Sequence, residues 1–161
     1  MSTIDSRLRS FQIKILHNIL YTNDQLHRWK IVPSDLCSFC QSERETFDHF
    51  LLTCQKSSEF WENVANIAIF RQNEIRDFTD RDKIIGIQFE DMSSPNAIIV
   101  NHVILLAKQY LFVCKRNNKV PNIVSFSAYV RYVEKIEKMI ATKNNKINKH
   151  GEKWSTLLSS L

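Results

Sequence analysis

Leu8, Phe11, Ile15 and Ile19 recur at spacings of three and four, one apolar stripe that predicts a helix over 6–20 capped by Asp5 or Ser6. Arg7, Arg9 and Lys14 lie off that stripe and should face water or a polyanion. Asn23 can open a second, short helix presenting Leu26 and Trp29, broken at Pro33 and Ser34. Ser57 or Ser58 can open another, with Phe60, Trp61, Val64, Ile67 and Ala68 inside. The pattern is weakest over 71–93, where Asp80 can cap a turn of helix at 82–85 and 86–89 reads as extended. Ser94 and Pro95, a cap followed by proline at the first helical position, start a long helix to about 115. Its apolar positions, including Ile98, Leu105, Leu106, Tyr110 and Val113, cover more than one side, as in a helix buried on several faces. His102 falls at the edge of that core with no role assigned. A last strong helix covers 123–143, with Phe126, Tyr129, Val130, Val133, Ile136 and Ile140 inward. Arg131, Lys135, Lys138 and Lys143 share its outer surface with Glu134 and Glu137. The tail, 144–161, carries Lys146, Lys149 and Lys153, ends with Trp154, Leu157 and Leu158, and reads as a frayed helix docked by Trp154.

Composition sharpens this into a fold class. Tight hairpins need glycine at positive φ, and the 161 residues hold only two glycines, so the chain reads as all-α. Cys37, Cys40, His49 and Cys54, a C-x2-C-x8-H-x4-C run of the ligand types that hold zinc, make the expected architecture a small zinc-knuckle lobe followed by a helical-hairpin lobe. Residues 1–70 hold the N-terminal helices and the knuckle, 71–93 connect, and 94–161 form the helical region with its basic tail. The longest apolar segment, 97–114, is interrupted by Asn101, His102, Lys108 and Gln109, so no membrane span is expected.

Charge is unevenly placed. Residues 1–114 carry 12 Lys/Arg against 14 Asp/Glu, while residues 115–161 carry 10 against 3, so the basic excess sits in the last third. That asymmetry suits an anionic partner, nucleic acid ahead of a membrane surface. A solvated helix face is the plainer reading of the same residues.

Candidate chemistry concentrates in one segment. Cys37, Cys40, His49 and Cys54 form a C-x2-C-x8-H-x4-C run. Two thiolates two residues apart can grip one side of a tetrahedral ion, and an imidazole and a third thiolate can close it. Four protein ligands leave no open position, which suits one structural Zn2+ rather than a catalytic one. Plain buried thiols, a redox pair and a disulfide are the alternatives. Against the redox pair, no thioredoxin-type strand–turn–helix surrounds the cysteines. Against the disulfide, the first ten residues are polar and charged and do not read as a signal peptide. Phe39, Phe47 and Phe50 should pack around the metal, and the zinc should hold knuckle to helix without a hydrophobic core of their own. Thr46 can cap the turn of helix bearing His49. Cys114, inside an apolar run, reads as a core thiol.

Enzymatic patterns are missing. There is no glycine-rich phosphate loop, no G-x-S-x-G and no H-E-x-x-H. A zinc deaminase places His-x-Glu ahead of its Cys pair, whereas His49 follows the pair and precedes Phe50 and Leu51. No enzyme, cofactor-binding residue or small-molecule substrate is expected.

The strings FQIKILHNILYTNDQLHRW, SDLCSFC, ETFDHFLLTC and EFW, in that order, resemble the zinc-binding C-terminal region of reverse-transcriptase polyproteins from LINE-type (non-LTR) retrotransposons. ILLAKQYLF and IEKMIATKNNK resemble the helical tail that follows the finger there. The resemblance implies the same four metal ligands and a role in holding template RNA or target DNA during target-primed reverse transcription. The paired-aspartate polymerase motif is absent, so any activity here is binding.

The expected function is therefore a non-catalytic, intracellular (nuclear or cytoplasmic) nucleic-acid-binding module, with RNA ahead of DNA as ligand. Arg7, Arg9, Lys14, Arg131, Lys135, Lys138, Lys143, Lys146 and Lys149 are its candidate contacts. The alternative is a scaffold that docks on a polymerase body.

Overall fold

The computed structural model describes Thr3, residues 5–75 and residues 77–158. The chain runs α1 Ser6–Leu16, α2 Asn23–Arg28, a π-helical turn His49–Thr53, α3 Gln55–Ala65, α4 Ala68–Gln72, α5 Asp80–Ile85, α6 Pro95–Arg116, α7 Ile123–Lys143 and α8 Ile147–Leu158. Among the described residues there is no strand, and Leu36 and Arg44 make one isolated antiparallel bridge. The all-α expectation holds.

α6 is the axis. It packs against α1, α7 and α8, while α3 packs on α7 and on the π turn. By length and composition α6 could cross a membrane, but 67% of its most apolar window is buried inside the protein, as in a core helix. Ile99, Val100, Val103, Ile104, Leu106, Ala107 and Leu111 are sealed from solvent. Ser94 caps it by accepting from the Ala97 N–H, with Pro95 at the first position as expected. α7 begins and ends where the periodicity places it, and Asn122 accepts from both Val124 and Ser125 N–H groups.

Several expectations are corrected. α1 ends at Leu16, because the chain turns through Asn18 at φ 50; Ile19 is thereby 54% exposed and Leu20 takes the core position. The cap of α2 is Thr22, one residue earlier than Asn23, and that of α5 is Thr79 rather than Asp80. Val113 is 40% exposed. Residues 86–89 form no strand; instead the Asn101 side chain accepts from Ile87 N–H at 2.7 Å and donates to Ile87 O at 3.0 Å, pinning that segment to α6. Ile67 is buried, but just outside α3, at the cap of α4. The side chains of Ala68 and Leu158 lie outside the described residues.

The inner face of α7 differs most. Ile136 and Ile140 are exposed, and Glu134 and Glu137 are buried. α8 is the reason. Its Trp154, fully buried, donates its indole N–H to Glu137 Oε2 at 2.9 Å, and Lys153 donates to the same oxygen at 2.8 Å. His150 Nε2 lies 3.3 Å from Glu134 Oε1. His102 is fully buried, not at the edge, 5.5 Å edge-on to Trp154 and 3.7 Å from Glu137 Oε1. Burial first, and then the charge of Lys153, lower its pKa well below the ordinary histidine value and keep it neutral.

α1 and α5 meet α6 around a buried amine. Lys108 Nζ donates to Gln12 Oε1 at 2.6 Å and to Ile84 O at 2.9 Å, and burial brings its pKa down to about 7. A neutral amine has two N–H groups, which suffice for those two acceptors. In the unfolded chain the same lysine titrates near 10.4. Between the two values the unfolded state binds more protons, so stability rises with pH. From pH 6.5 to 9.5 the gain from this group is on the order of 3 kcal/mol. Lys108→Met should flatten that rise, since Gln12 still donates to Ile84 O at 2.8 Å. Urea midpoints at the two pH values check this; equal slopes for variant and parent would refute it.

Candidate metal centre

Residues 35–45 form a small hairpin that holds the first two cysteines. Glu45 N–H donates to Asp35 O at 2.8 Å, and Cys37 N–H donates to Glu43 O at 2.7 Å. Inside the turn Gln41 N–H donates to Cys37 O at 3.0 Å, with Gln41 itself at φ 55. Phe39 N–H points at Cys37 Sγ at 3.4 Å, the knuckle arrangement in which backbone donors face a thiolate.

The other two ligands come from the π turn. Thr46 Oγ1 accepts from His49 N–H at 3.1 Å, as its position predicts. Cys54 N–H then donates to His49 O at 2.8 Å, an i to i+5 bond. The extra residue matters. On an α-helix, residues five apart point about 140° away from each other; widening the turn lets His49 and Cys54 face one centre. A π turn leaves carbonyls poorly placed, and α3 supplies donors for three of them. Ser57 Oγ donates to Phe50 O at 2.7 Å, Trp61 Nε1 to Leu51 O at 3.0 Å, and Ser58 Oγ to Leu52 O at 3.2 Å. The serines expected to cap α3 thus bond backwards, and Cys54 occupies the cap position. A thiolate there also lies at the positive end of the α3 dipole.

The four ligand atoms lie within 4.8 Å of one another. A tetrahedral zinc with Zn–S near 2.3 Å requires sulfurs about 3.8 Å apart, and sulfur and nitrogen about 3.5 Å apart. Cys37 Sγ and Cys54 Sγ are 3.8 Å apart, and Cys40 Sγ and His49 Nε2 are 3.3 Å apart. The residues therefore fit one structural zinc with a closed ligand set. Cys37 and Cys54 are fully buried and His49 nearly so, which protects the cluster from water. His49 Nδ1 faces Glu43 Oε2 at 3.4 Å, so a carboxylate orients the imidazole with Nε2 toward the ion. Burial, then the neighbouring sulfurs, push the Cys37 thiol up. Burial also opposes ionisation of Cys40, but hydrogen bonds from Ser42, Glu43 and His49 outweigh it and bring that thiol down. Zinc uptake at neutral pH consequently displaces protons, Cys37 foremost.

The knuckle is not without a core. Phe39 and Phe50 rings are 5.5 Å apart, and with Phe47, Leu51 and Leu52 they join the apolar cluster that continues to α6 and α8. Cys114 is a buried core thiol on α6, as expected, and does not join the four metal ligands.

Two residues that sequence reasoning passed over anchor the knuckle. Glu45 is fully buried; its Oε1 accepts from Asn23 N–H at 2.8 Å and its Oε2 from Ser38 N–H at 2.7 Å. Lys115 Nζ, from the end of α6, lies 2.7 Å from Glu45 Oε1 and donates to Asn23 Oδ1 at 2.9 Å. Seventy residues separate the pair, and no local pattern marks it.

The nine candidate cations are all exposed but do not form one patch. Arg7 and Lys14 line a groove of about 980 Å³ between α1, the loop 32–41 and the end of α6. Arg7 also borders a second groove, with Lys146 and Lys149, against α7 and α8. Arg131, Lys135, Lys138 and Lys143 lie on α7 and Arg9 on α1, lining neither groove.

The family model described as zinc-binding in reverse transcriptase matches residues 1–61. No curated protein and no solved structure matches the chain. The match spans the hairpin, the π turn and all four ligands, so residues 1–61 are similar to the zinc-binding segment found in reverse transcriptases, and the four side chains brought together here suit that zinc.

Proposed function

We propose that the chain is a non-catalytic, zinc-organised nucleic-acid-binding module of the LINE-type (non-LTR) retrotransposon kind, acting inside the cell. It would assist a reverse transcriptase in holding template RNA, or target DNA, during target-primed reverse transcription. One observation carries the reading. The groove against the knuckle is lined by the exposed Arg7, Lys14 and Arg116, and no aspartate or glutamate lines it; Lys115 is in its wall but is buried and paired with Glu45. Ser38 and Gln41 of the knuckle form part of its wall, so the zinc fixes one side of a cationic channel. Such a lining attracts phosphate and carries little base readout.

The test is binding of the zinc-loaded chain to a fluorescent structured RNA across a salt series. Affinity should fall steeply with salt. Replacing Arg7 and Lys14 together by glutamine should reduce the magnitude of the log–log slope by about 1.4 to 1.8, the loss of two released counterions. A slope unchanged by that pair would reject the groove as the site, and no binding at low salt would reject the function. The second reading, a scaffold docked on a polymerase body, has support in the apolar residues that α7 exposes. Val124, Tyr132 and Met139 are 74%, 62% and 69% accessible.

A further inference from the structure

Within the described residues, two of the most exposed large rings sit together at the groove beside the knuckle. Tyr21 lines the groove, is 59% accessible and meets Trp29 edge-to-face at 5.6 Å. Trp29 is 57% accessible. Both follow from how α1 and α2 are joined: the chain leaves α1 through the left-handed Asn18, and Thr22 starts α2, so Tyr21 is left outward in the link. Trp29 lies at the far end of α2 and closes back on it. The two rings meet at 72°, so Trp29 restricts the tyrosine without stacking parallel over it, and Tyr21 stays more than half accessible.

We infer that this groove takes a single-stranded nucleic acid segment, with phosphates on Arg7, Lys14 and Arg116 and a base stacked on Tyr21 backed by Trp29. The inference deepens the nucleic-acid reading and rests on it. A duplex turns its base faces inward and offers only edges and phosphates, so exposed rings add nothing to duplex binding. A single strand offers a π-face at every nucleotide, and stacking on aromatic side chains beside a basic track is how such strands are held without sequence preference. The remaining polar wall, Gln41, Gln109 and Asn118 among others, consists of groups that can donate or accept, and it carries no carboxylate to repel the strand. A protein partner of acidic surface would also meet the cations and could cover the rings, since tyrosine and tryptophan are common at protein interfaces; failure of nucleic acid to bind is the outcome that would favour it.

Fluorescence offers a direct readout. Of the three tryptophans, Trp61 and Trp154 are buried, at 2% and 0% accessibility, so quenching by a ligand reports Trp29. The zinc-loaded full chain would be titrated with an RNA of about twelve nucleotides, single-stranded or as a blunt duplex of the same sequence. Single-strand binding should quench the tryptophan signal and exceed duplex binding by roughly tenfold. Tyr21→Leu, which keeps apolar bulk, should weaken single-strand binding by roughly tenfold and leave duplex binding unchanged. Lys14→Gln should weaken both alike. Equal affinity for strand and duplex, or a Tyr21→Leu variant that binds single strands like the parent, would overturn the inference while the broader function stands. Failure of both probes to bind the parent chain would overturn both.

Discussion

Withdrawal of zinc is expected to unfold residues 37–61 and to cost the chain a large part of its stability. Ligand sets of this kind in small zinc modules contribute on the order of 10 kcal/mol at neutral pH, because the unfolded chain has no preformed site. Here the ion would hold together two pieces that local structure alone does not join: the hairpin with Cys37 and Cys40, and the π turn with His49 and Cys54. A π turn is rare and costly by itself. Its carbonyls are bonded by Ser57, Ser58 and Trp61, but only while α3 lies where Cys54 caps it. Cys54→Ser should therefore act twice, on the metal and on the start of α3. The expected outcome is loss of the bound equivalent of zinc by elemental analysis and a lower Tm. If half the zinc contribution is lost, the drop is roughly 10–20 °C for a chain of this size. Chelation of the parent chain should reproduce it, with helical signal from α6 to α8 persisting, since Trp154 of α8 is held by Glu137 of α7 and packs on His102 of α6, all outside the zinc segment. Circular dichroism indifferent to a chelator would remove the structural role from the site.

Those features legible in the sequence share a property: each is set by neighbours a few residues away. The four ligands follow from spacing and from the taste of zinc for thiolate and imidazole. The start of α6 follows from Ser94 and Pro95, and both ends of α7 from its periodicity; the Asn122 cap that fixes its start is not part of that reading. What was not legible depends on partners far along the chain. Glu134 and Glu137 look like surface residues beside Lys135 and Lys138, and only the return of α8 with His150, Lys153 and Trp154 turns them inward. Ile136 and Ile140 move outward for the same reason. His-x4-Cys spacing could have signalled a widened turn, since an ordinary helix would not bring both side chains to one ion. The serines after Cys54 read as caps because serine caps helices so often; the carbonyls of the π turn had a stronger claim on them. Glu45 offered no signal, being one more acid between Arg44 and Thr46.

That hidden acid is where the second large effect is expected. Glu45 receives backbone N–H groups from α2 and from the knuckle and faces the ammonium of Lys115, so one carboxylate joins three parts of the fold. Removing one member of a buried ion pair leaves the other charged and desolvated, at a cost of about 3–5 kcal/mol. Glu45→Gln keeps the volume but removes the charge, and it replaces one acceptor oxygen by a donor facing either Lys115 or the Ser38 N–H. Lys115→Met should cost less, because Glu45 keeps its two backbone donors. The double variant should recover part of the loss of Glu45→Gln, giving a coupling energy of about 1–3 kcal/mol in a double-mutant cycle. Urea unfolding of the four proteins with zinc bound would measure it. Additive losses would mean that Lys115 and Glu45 are neighbours without mutual stabilisation. A coupling of the expected size would mean that the end of α6 holds the knuckle in place, so the cationic groove beside it has a rigid wall on both sides.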